Sequence, residues 1–357
     1  MKRLLFFLPF LMLFSGCLKD ENLKTENITY LPIAMNDGWE IEPETSLFFD
    51  MDIFNDIIRK VYSNDELLVI RSLVVVKNGK LMAEAYPRTQ DDRTRPHQLW
   101  STTKSVMALL TGIAYDKGYI RNVSDSVFRY MPEYLQYAYP QLQPLTIEEC
   151  LTMRSGIDYD NGGWEEEEIL SMVPNDLTKY MLERPMKYLP GEVADYKNSD
   201  PQLLVKVLAN ATHTDLVAFA EENLFEPLGI TNYFWTRNKD NTPYGGFGLW
   251  LTPRDMAKTG QMLLNNGIWK DRRIISAAWL EEATARKTTI NGFDYGYYFW
   301  IKPNYFFTWG ARGQYIFVVP EKDLVVVITS EQFADKGKET SIEEAFYMVE
   351  RVIESVK

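Results

Sequence analysis

Ser101 and Lys104 stand three residues apart in Leu99-Trp100-Ser101-Thr102-Thr103-Lys104-Ser105, at the head of an apolar run. Residues i and i+3 share one face of a helix, so the ammonium can reach the hydroxyl and act as its base without any histidine. The stretch from Ser105 to Gly118 reads as a buried helix closed by a glycine. A serine in the first turn of such a helix lies beside free backbone N–H groups and the positive end of the dipole, where an acyl-transfer reaction develops negative charge. Ser-x-x-Lys alone is a common string, so its meaning depends on what surrounds it.

The rest of the composition narrows the chemistry. His97 and His213 are the two histidines. His97 falls four residues before the serine and His213 in a helical stretch, which makes a Ser-His-Asp triad hard to build and leaves lysine or tyrosine as the expected base. Neither Cys17 nor Cys150 has a metal-ligand spacing, so no metal and no cofactor are expected, and Cys150 reads as a small buried hydrophobe. The net charge of −12 disfavours nucleic acid as a partner. With 357 residues, 46% of them hydrophobic, the chain can bury a sizeable core.

Met1-Lys2-Arg3 followed by apolar Leu4 to Phe14 reads as a signal peptide over residues 1–16. Ser15-Gly16-Cys17 looks like a bacterial lipoprotein cleavage site, and acyl chains on Cys17 would anchor the protein to a membrane. The expected location is the bacterial cell envelope, lipid-anchored at the outer membrane or periplasmic. Lys19-Asp20-Glu21 resembles the export tag of Bacteroidetes surface lipoproteins. Residues 17–45 are polar and aperiodic and are expected to be a tether, with one folded domain over 46–357.

Within that domain, Phe48 to Tyr62 has a helical pattern, and Leu67–Val76 and Leu81–Tyr86 flank Asn78-Gly79 as a hairpin. Residues from about 121 to 244 are helical and loop-rich, with helices over Asp200–Ala211 and Thr214–Leu224. Pro253 to Asn265 is a further helix, with proline in its first turn. Tyr305–Thr308, Tyr315–Pro320 and Leu324–Ser330 read as strands before a closing helix, Ser341 to Val356. The expected class is α+β: an antiparallel sheet built from both chain ends, flanked by helices, with a mainly helical insertion.

Several segments agree in order with a known pattern. They are the Ser101 segment; Ile147 to Ile157 with Ser155-Gly156; Pro190-Gly191-Glu192 followed by Asp195-Tyr196-Lys197-Asn198-Ser199; and Gly246 to Gly260. Together they resemble the serine β-lactamase, penicillin-binding protein and related esterase superfamily, and within it the class C-like branch. Tyr-x-Asn occurs at Tyr62, Tyr159 and Tyr196. The family places its tyrosine downstream of Pro-Gly, which selects Tyr196. By that resemblance Ser101 is the nucleophile, Lys104 and Tyr196 relay its proton, and Asn198 holds the substrate carbonyl or the lysine. The N–H groups of Ser101 and Ala311 would form the oxyanion hole.

One element departs from the pattern. Where the family has Lys-Thr-Gly or His-Thr-Gly, this chain has Thr308-Trp309-Gly310-Ala311-Arg312. The missing cation helps β-lactamases and carboxypeptidases bind a substrate carboxylate; here Gly310 keeps the backbone close to substrate and Trp309 offers an apolar wall. That resembles the nylon-oligomer (6-aminohexanoate-dimer) hydrolase and esterase members. The resemblance implies a serine hydrolase acting through an acyl-enzyme on a small ester or amide. A penicillin-binding carboxypeptidase or β-lactamase is the alternative, and a catalytically silent surface binding protein is a third reading. Trp164 to Glu168, an acidic run, is read as a solvated loop.

Overall fold

A computed structural model describes residues 28–63, 69–159, 175–331 and 340–357. Cys17, Asn161 and the acidic run at 164–168 lie outside the described residues. The chain enters the sheet through α1 (Met51–Tyr62), which begins where Asp50 accepts from the backbone N–H groups of Asp52 and Ile53. β1 (Ile70–Lys77) and β2 (Lys80–Ala85) form the expected hairpin, and Asn78 and Gly79 take φ of 53° and 72° at its turn. That is the left-handed pair a two-residue hairpin turn needs.

β3 (His97–Gln98) leads into α2 (Thr102–Asp116). Then come α3 (Ile147–Leu151), α4 (Leu177–Leu182), α5 (Ser199–Thr212), α6 (Leu216–Ala220), β4 (Phe234–Trp235) and β5 (Leu249–Leu251). The later part contains α7 (Pro253–Leu264), β6 (Ile268–Trp269), β7 (Arg272–Arg273), α8 (Ala277–Thr284), β8 (Thr288–Ile290), β9 (Phe293–Tyr295) and β10 (Trp300–Lys302). It ends with β11 (Tyr305–Gly310), β12 (Gln314–Val319), β13 (Leu324–Ser330) and α9 (Ile342–Ser355).

The main sheet has eight strands in the order β2-β1-β13-β12-β11-β10-β9-β8, antiparallel throughout. Strands from the two ends of the chain meet at its centre, where Leu73 to Lys77 pair with Ile328 to Leu324. β12 and β13 are buried on both faces, which their nearly unbroken apolar runs require. Ile316 and Val325 press on Gly260 of α7, whereas Phe317, one residue along, meets Phe346 of α9. The period of two thus sends alternate residues of one strand to helices on opposite faces.

Three expectations need correction. Residues 28–45 are not a loose tether: the Glu84 N–H donates to the Tyr30 carbonyl, Ile41 bridges to Leu81, and buried Trp39 donates its indole N–H to the Arg254 carbonyl. A few scattered anchors hold this stretch, so it carries no periodic signal. The helix expected over Thr214–Leu224 stops at Ala220 and widens into a π-turn over Glu221–Phe225, before Pro227. Finally, β8, β9 and β10 extend the sheet beyond the strands foreseen. Each has three residues, too few for alternation to register.

Candidate active site

Ser101 is the N-cap of α2, with φ −66° and ψ −11°, and follows Trp100 in the left-handed region at φ 48°. A non-glycine residue there is strained, and the strain is held by bonds on both sides. The Leu99 N–H donates to the Leu249 carbonyl at 2.8 Å. The Thr102 hydroxyl donates to the Thr308 hydroxyl at 3.1 Å and faces the Gln314 carbonyl at 3.2 Å. Thr308 in turn accepts from the Ile316 N–H. The first turn of α2 is therefore fastened to β11 and β12. A Cβ on Gly310 would lie 2.1 Å from the Leu99 carbonyl oxygen, so glycine is required where the strand passes the serine.

Lys104 is buried one turn into α2, with its ammonium 3.0 Å from Ser101 Oγ. The same ammonium donates to Asn198 Oδ1 at 2.6 Å and to the Gly246 carbonyl at 2.8 Å. Its nitrogen lies 4.9 Å from the centre of the Tyr196 ring. Tyr196 and Asn198 belong to the turn that opens α5, and Asn198 is that helix's N-cap. A Cβ on Gly246 would approach Asn198 Oδ1 to 2.4 Å, so this contact also needs glycine. The structure thus brings Ser101, Lys104, Tyr196 and Asn198 to one place. Tyr62 instead donates to the Thr29 carbonyl.

The cleft above Ser101 has a volume of about 350 Å³ and is walled by Tyr196, Trp300, Trp309, Ala311, Arg312 and Tyr315, among others. β10 pairs with β11 only from Tyr305 to Phe307, so Thr308–Gly310 run on past it along the cleft. Alternation turns Thr308 inward to Thr102 and Trp309 outward, where its ring meets Trp300 at 5.1 Å. Trp300 continues the aromatic wall to Tyr196 at 5.6 Å. Arg312, at φ 61° in the β11–β12 turn, places its guanidinium 5.5 Å from the Trp100 ring. Neither the Ser101 N–H nor the Ala311 N–H is spent on a backbone carbonyl among the described residues.

The surrounding titratable groups are kept neutral or compensated. Burial, and then the neighbouring Tyr196 and Asp200, push the Tyr295 phenol up. Burial drives the His97 imidazole down to about 4, so it is uncharged at neutral pH, away from the cleft in β3. His213 ends α5 in the left-handed region. Cys150 is a free, fully buried thiol, pushed up by burial.

A family model described as Beta-lactamase matches residues 71–345, most of the chain. The chain belongs to the beta-lactamase family. This member of the family is therefore one of the serine hydrolase superfamily that shares the fold. Protein flp of Staphylococcus aureus (strain MRSA252) is 23% identical over 184 residues, covering 50% of this chain and 37% of that protein. The chain accordingly spans well under half the length of that relative. A Bacillus anthracis protein provisionally named a 6-aminohexanoate-dimer hydrolase superposes with a TM-score of 0.70 at 19% identity, over 91% of this chain and 89% of its own. A Bacteroides dorei DSM 17855 protein provisionally named a beta-lactamase gives 0.71 at 17% identity, over 86% and 99%. At these identities the superpositions establish the β-lactamase fold.

Gly246, as a partner of Lys104, and Trp300 and Tyr315, as cleft walls, are site residues that the sequence motifs do not mark. Gly245-Gly246 offered a signal, since paired glycines mark close backbone approach. Trp300 and Tyr315 offered none, being two aromatics among many.

Proposed function

We propose that this protein hydrolyses an ester or amide bond of a small substrate through an acyl-enzyme on Ser101. The observation that carries the reading is the Lys104 ammonium, 3.0 Å from the Ser101 hydroxyl and beneath the Tyr196 ring. Ser101 Oγ attacks the carbonyl and loses its proton to the Tyr196 oxygen, favoured as phenolate by the Lys104 ammonium beside it, and the phenol returns the proton to the departing alkoxide or amine. The oxyanion is held by the N–H groups of Ser101 and Ala311, at the positive end of α2. Water then attacks the acyl-serine, gives its proton to the Tyr196 oxygen, and releases the acid as Ser101 recovers its own. Asn198 steers Lys104 and lies where a substrate amide could also bond.

Trp309 and the inward-turned Thr308 favour neutral substrates over penicillin-like ones. Arg312 is the feature that supports the alternative, a carboxylate-bearing ligand at the mouth. Attachment to the cell envelope through acyl chains on Cys17 belongs to the same proposal and rests on the Ser15-Gly16-Cys17 sequence. Ser101→Ala should abolish hydrolysis of p-nitrophenyl acetate and leave the melting temperature nearly unmoved. An alanine variant that still turns over would refute the assignment, and strong labelling by fluorescent penicillin would favour the alternative.

A further inference from the structure

Asn198 caps α5 by position but not by bonding. Its side chain makes no cap hydrogen bond, because its oxygen is given to the Lys104 ammonium. An N-cap side chain that accepts from the helix's first turn is worth roughly 1 kcal/mol, so diverting it leaves the turn carrying Tyr196 in need of another anchor. Two charged side chains that the proposed reaction does not use flank Asn198. The fully buried Lys197 ammonium donates to the Ile157 carbonyl at 2.8 Å and lies 3.6 Å from the Asp195 carboxylate. Asp200, also fully buried, accepts from the Ser155 N–H at 3.2 Å, the Ser155 hydroxyl at 2.6 Å and the Ser199 hydroxyl at 2.9 Å. Both therefore grip the same strip, Ser155 to Ile157, one from each side of Asn198.

Burying charge is costly unless each ion is compensated, and a fully hydrogen-bonded arrangement survives because it fixes one geometry. Burial pushes the Asp200 carboxyl up, while the Lys197 ammonium and the serine hydrogen bonds pull it back. Asp200 is faced by Cys150 of α3, Tyr295 of β9 and Tyr298, and Lys197 by Asp195, which also lies 3.8 Å from Lys187. Lys104 faces Tyr196 from α2. Burial holds the thiol and the Tyr295 and Tyr298 phenols neutral, so the charges on this turn are those of Lys197, Asp200 and Asp195.

We infer that Lys197 and Asp200 are a positioning pair: they lock the Tyr196–Asn198 turn onto Ser155–Ile157 from either side and bring charges of opposite sign to the turn that carries the phenol. The inference rests on Tyr196 acting in proton relay. The two removals take charges of opposite sign away from the turn and so act on the phenol in opposite senses. Lys197→Met removes a positive charge and raises the Tyr196 pKa. Asp200→Asn removes a negative charge and lowers it.

The test uses the whole protein with Lys197→Met, Asp200→Asn, Lys197→Arg and the double variant Lys197→Met/Asp200→Asn. Two readouts are taken: the pH dependence of kcat and KM on p-nitrophenyl acetate, and titration of the Tyr196 ¹³Cζ resonance, identified with Tyr196→Phe. Each single removal should lower kcat about 30-fold with KM changed less than about threefold. The ascending limb of the kcat profile and the Tyr196 titration should move up in pH for Lys197→Met and down for Asp200→Asn, by about one unit each. Lys197→Arg should restore both, and the double variant, which buries no net charge, should titrate like the parent even if a single variant does not fold. A Tyr196 titration unmoved in a folded single-removal variant, or moved from the parent's in the double variant, would overturn the inference. The resonance needs no turnover, so it decides the pair separately from the outcome at Ser101: if Ser101→Ala remained active, opposite shifts at Tyr196 would still uphold the pair and their absence would still sink it.

Discussion

Two hollows in this molecule lie beside buried cations, and the smaller is the one that opens on Ser101. A cavity of about 610 Å³ lies between residues 35–38, the start of α7 and the β6–β7 turn, with Arg254 and Lys258 in its wall. There Arg254 meets both oxygens of Glu84, at 2.7 and 2.8 Å, and Asp37 at 2.7 Å. Lys258 meets Asp255 at 2.8 Å and the Gly229 carbonyl at 2.8 Å. Burial alone would lower the Arg254 guanidinium, but its bonds to Glu84 and Asp37 hold it above its ordinary value. Behind Ser101 of the 350 Å³ cleft, Lys104 instead donates to a hydroxyl, an amide and a peptide carbonyl. A cation answered by carboxylates spends its field on structure, whereas one held by neutral dipoles keeps its field for the neighbouring hydroxyl and phenol.

The comparison breaks most sharply if the two lysine environments are disrupted in turn. Lys104→Met should cost about 10³-fold or more in kcat/KM on p-nitrophenyl acetate, the scale seen when one member of a nucleophile-base set is removed. Its melting temperature should change less than for a broken buried ion pair, because the hydroxyl, amide and peptide carbonyl it bonds are uncharged. Arg254→Met should do the reverse. Stripping buried Glu84 of its two bonds from Arg254, with Arg93 still 2.8 Å from its Oε1, should cost about 1–3 kcal/mol of stability by urea unfolding, with kcat of the folded fraction within about twofold. An Arg254 variant that lost activity but not stability would dissolve the distinction.

Two smaller effects sharpen it. Gly310→Ala should lower kcat about 100-fold, since the new methyl must push the Leu99 carbonyl away and with it the strained entry to Ser101. Its Tm should fall only modestly. His97 tests the structural side by pH. An unfolded chain takes up its proton near the ordinary imidazole value of 6.5 and the folded chain only near 4, so between these values the unfolded state binds more protons and stability falls as pH falls. The loss should reach about 2 kcal/mol on going from pH 7 to 4.5. Burial raises Asp92, 3.7 Å from His97, which works in the opposite sense near the acid end. His97→Gln, measured by urea unfolding across that range, should flatten the decline.

Much of this was legible in the chain because it rests on short-range rules. The Ser101–Lys104 spacing needs only helical geometry, and Asn78-Gly79 needs only the turn its φ values permit. β13 spans Leu324–Ser330, as its valine run indicated. Tyr196 required the order of segments, since three Tyr-x-Asn strings are equivalent by local chemistry. What was hidden depends on partners far apart in sequence. Arg254 binds Asp37 across 217 residues, which makes a polar stretch part of the body of the fold. Asp200 meets Ser155 across 45. Lys197 stands in sequence only as the middle residue of Tyr196-Lys197-Asn198, and its burial beside Asp195 is what reveals a compensated ion.

The central claim is that Ser101 is the activated nucleophile. Its most direct test is to incubate the protein with a fluorophosphonate, digest it, and locate the adduct by mass spectrometry. We predict one modified peptide, with the phosphonyl group on Ser101, formed in the parent and absent from Ser101→Ala and Lys104→Met. An adduct on a different residue, or none with a folded and active protein, would contradict it.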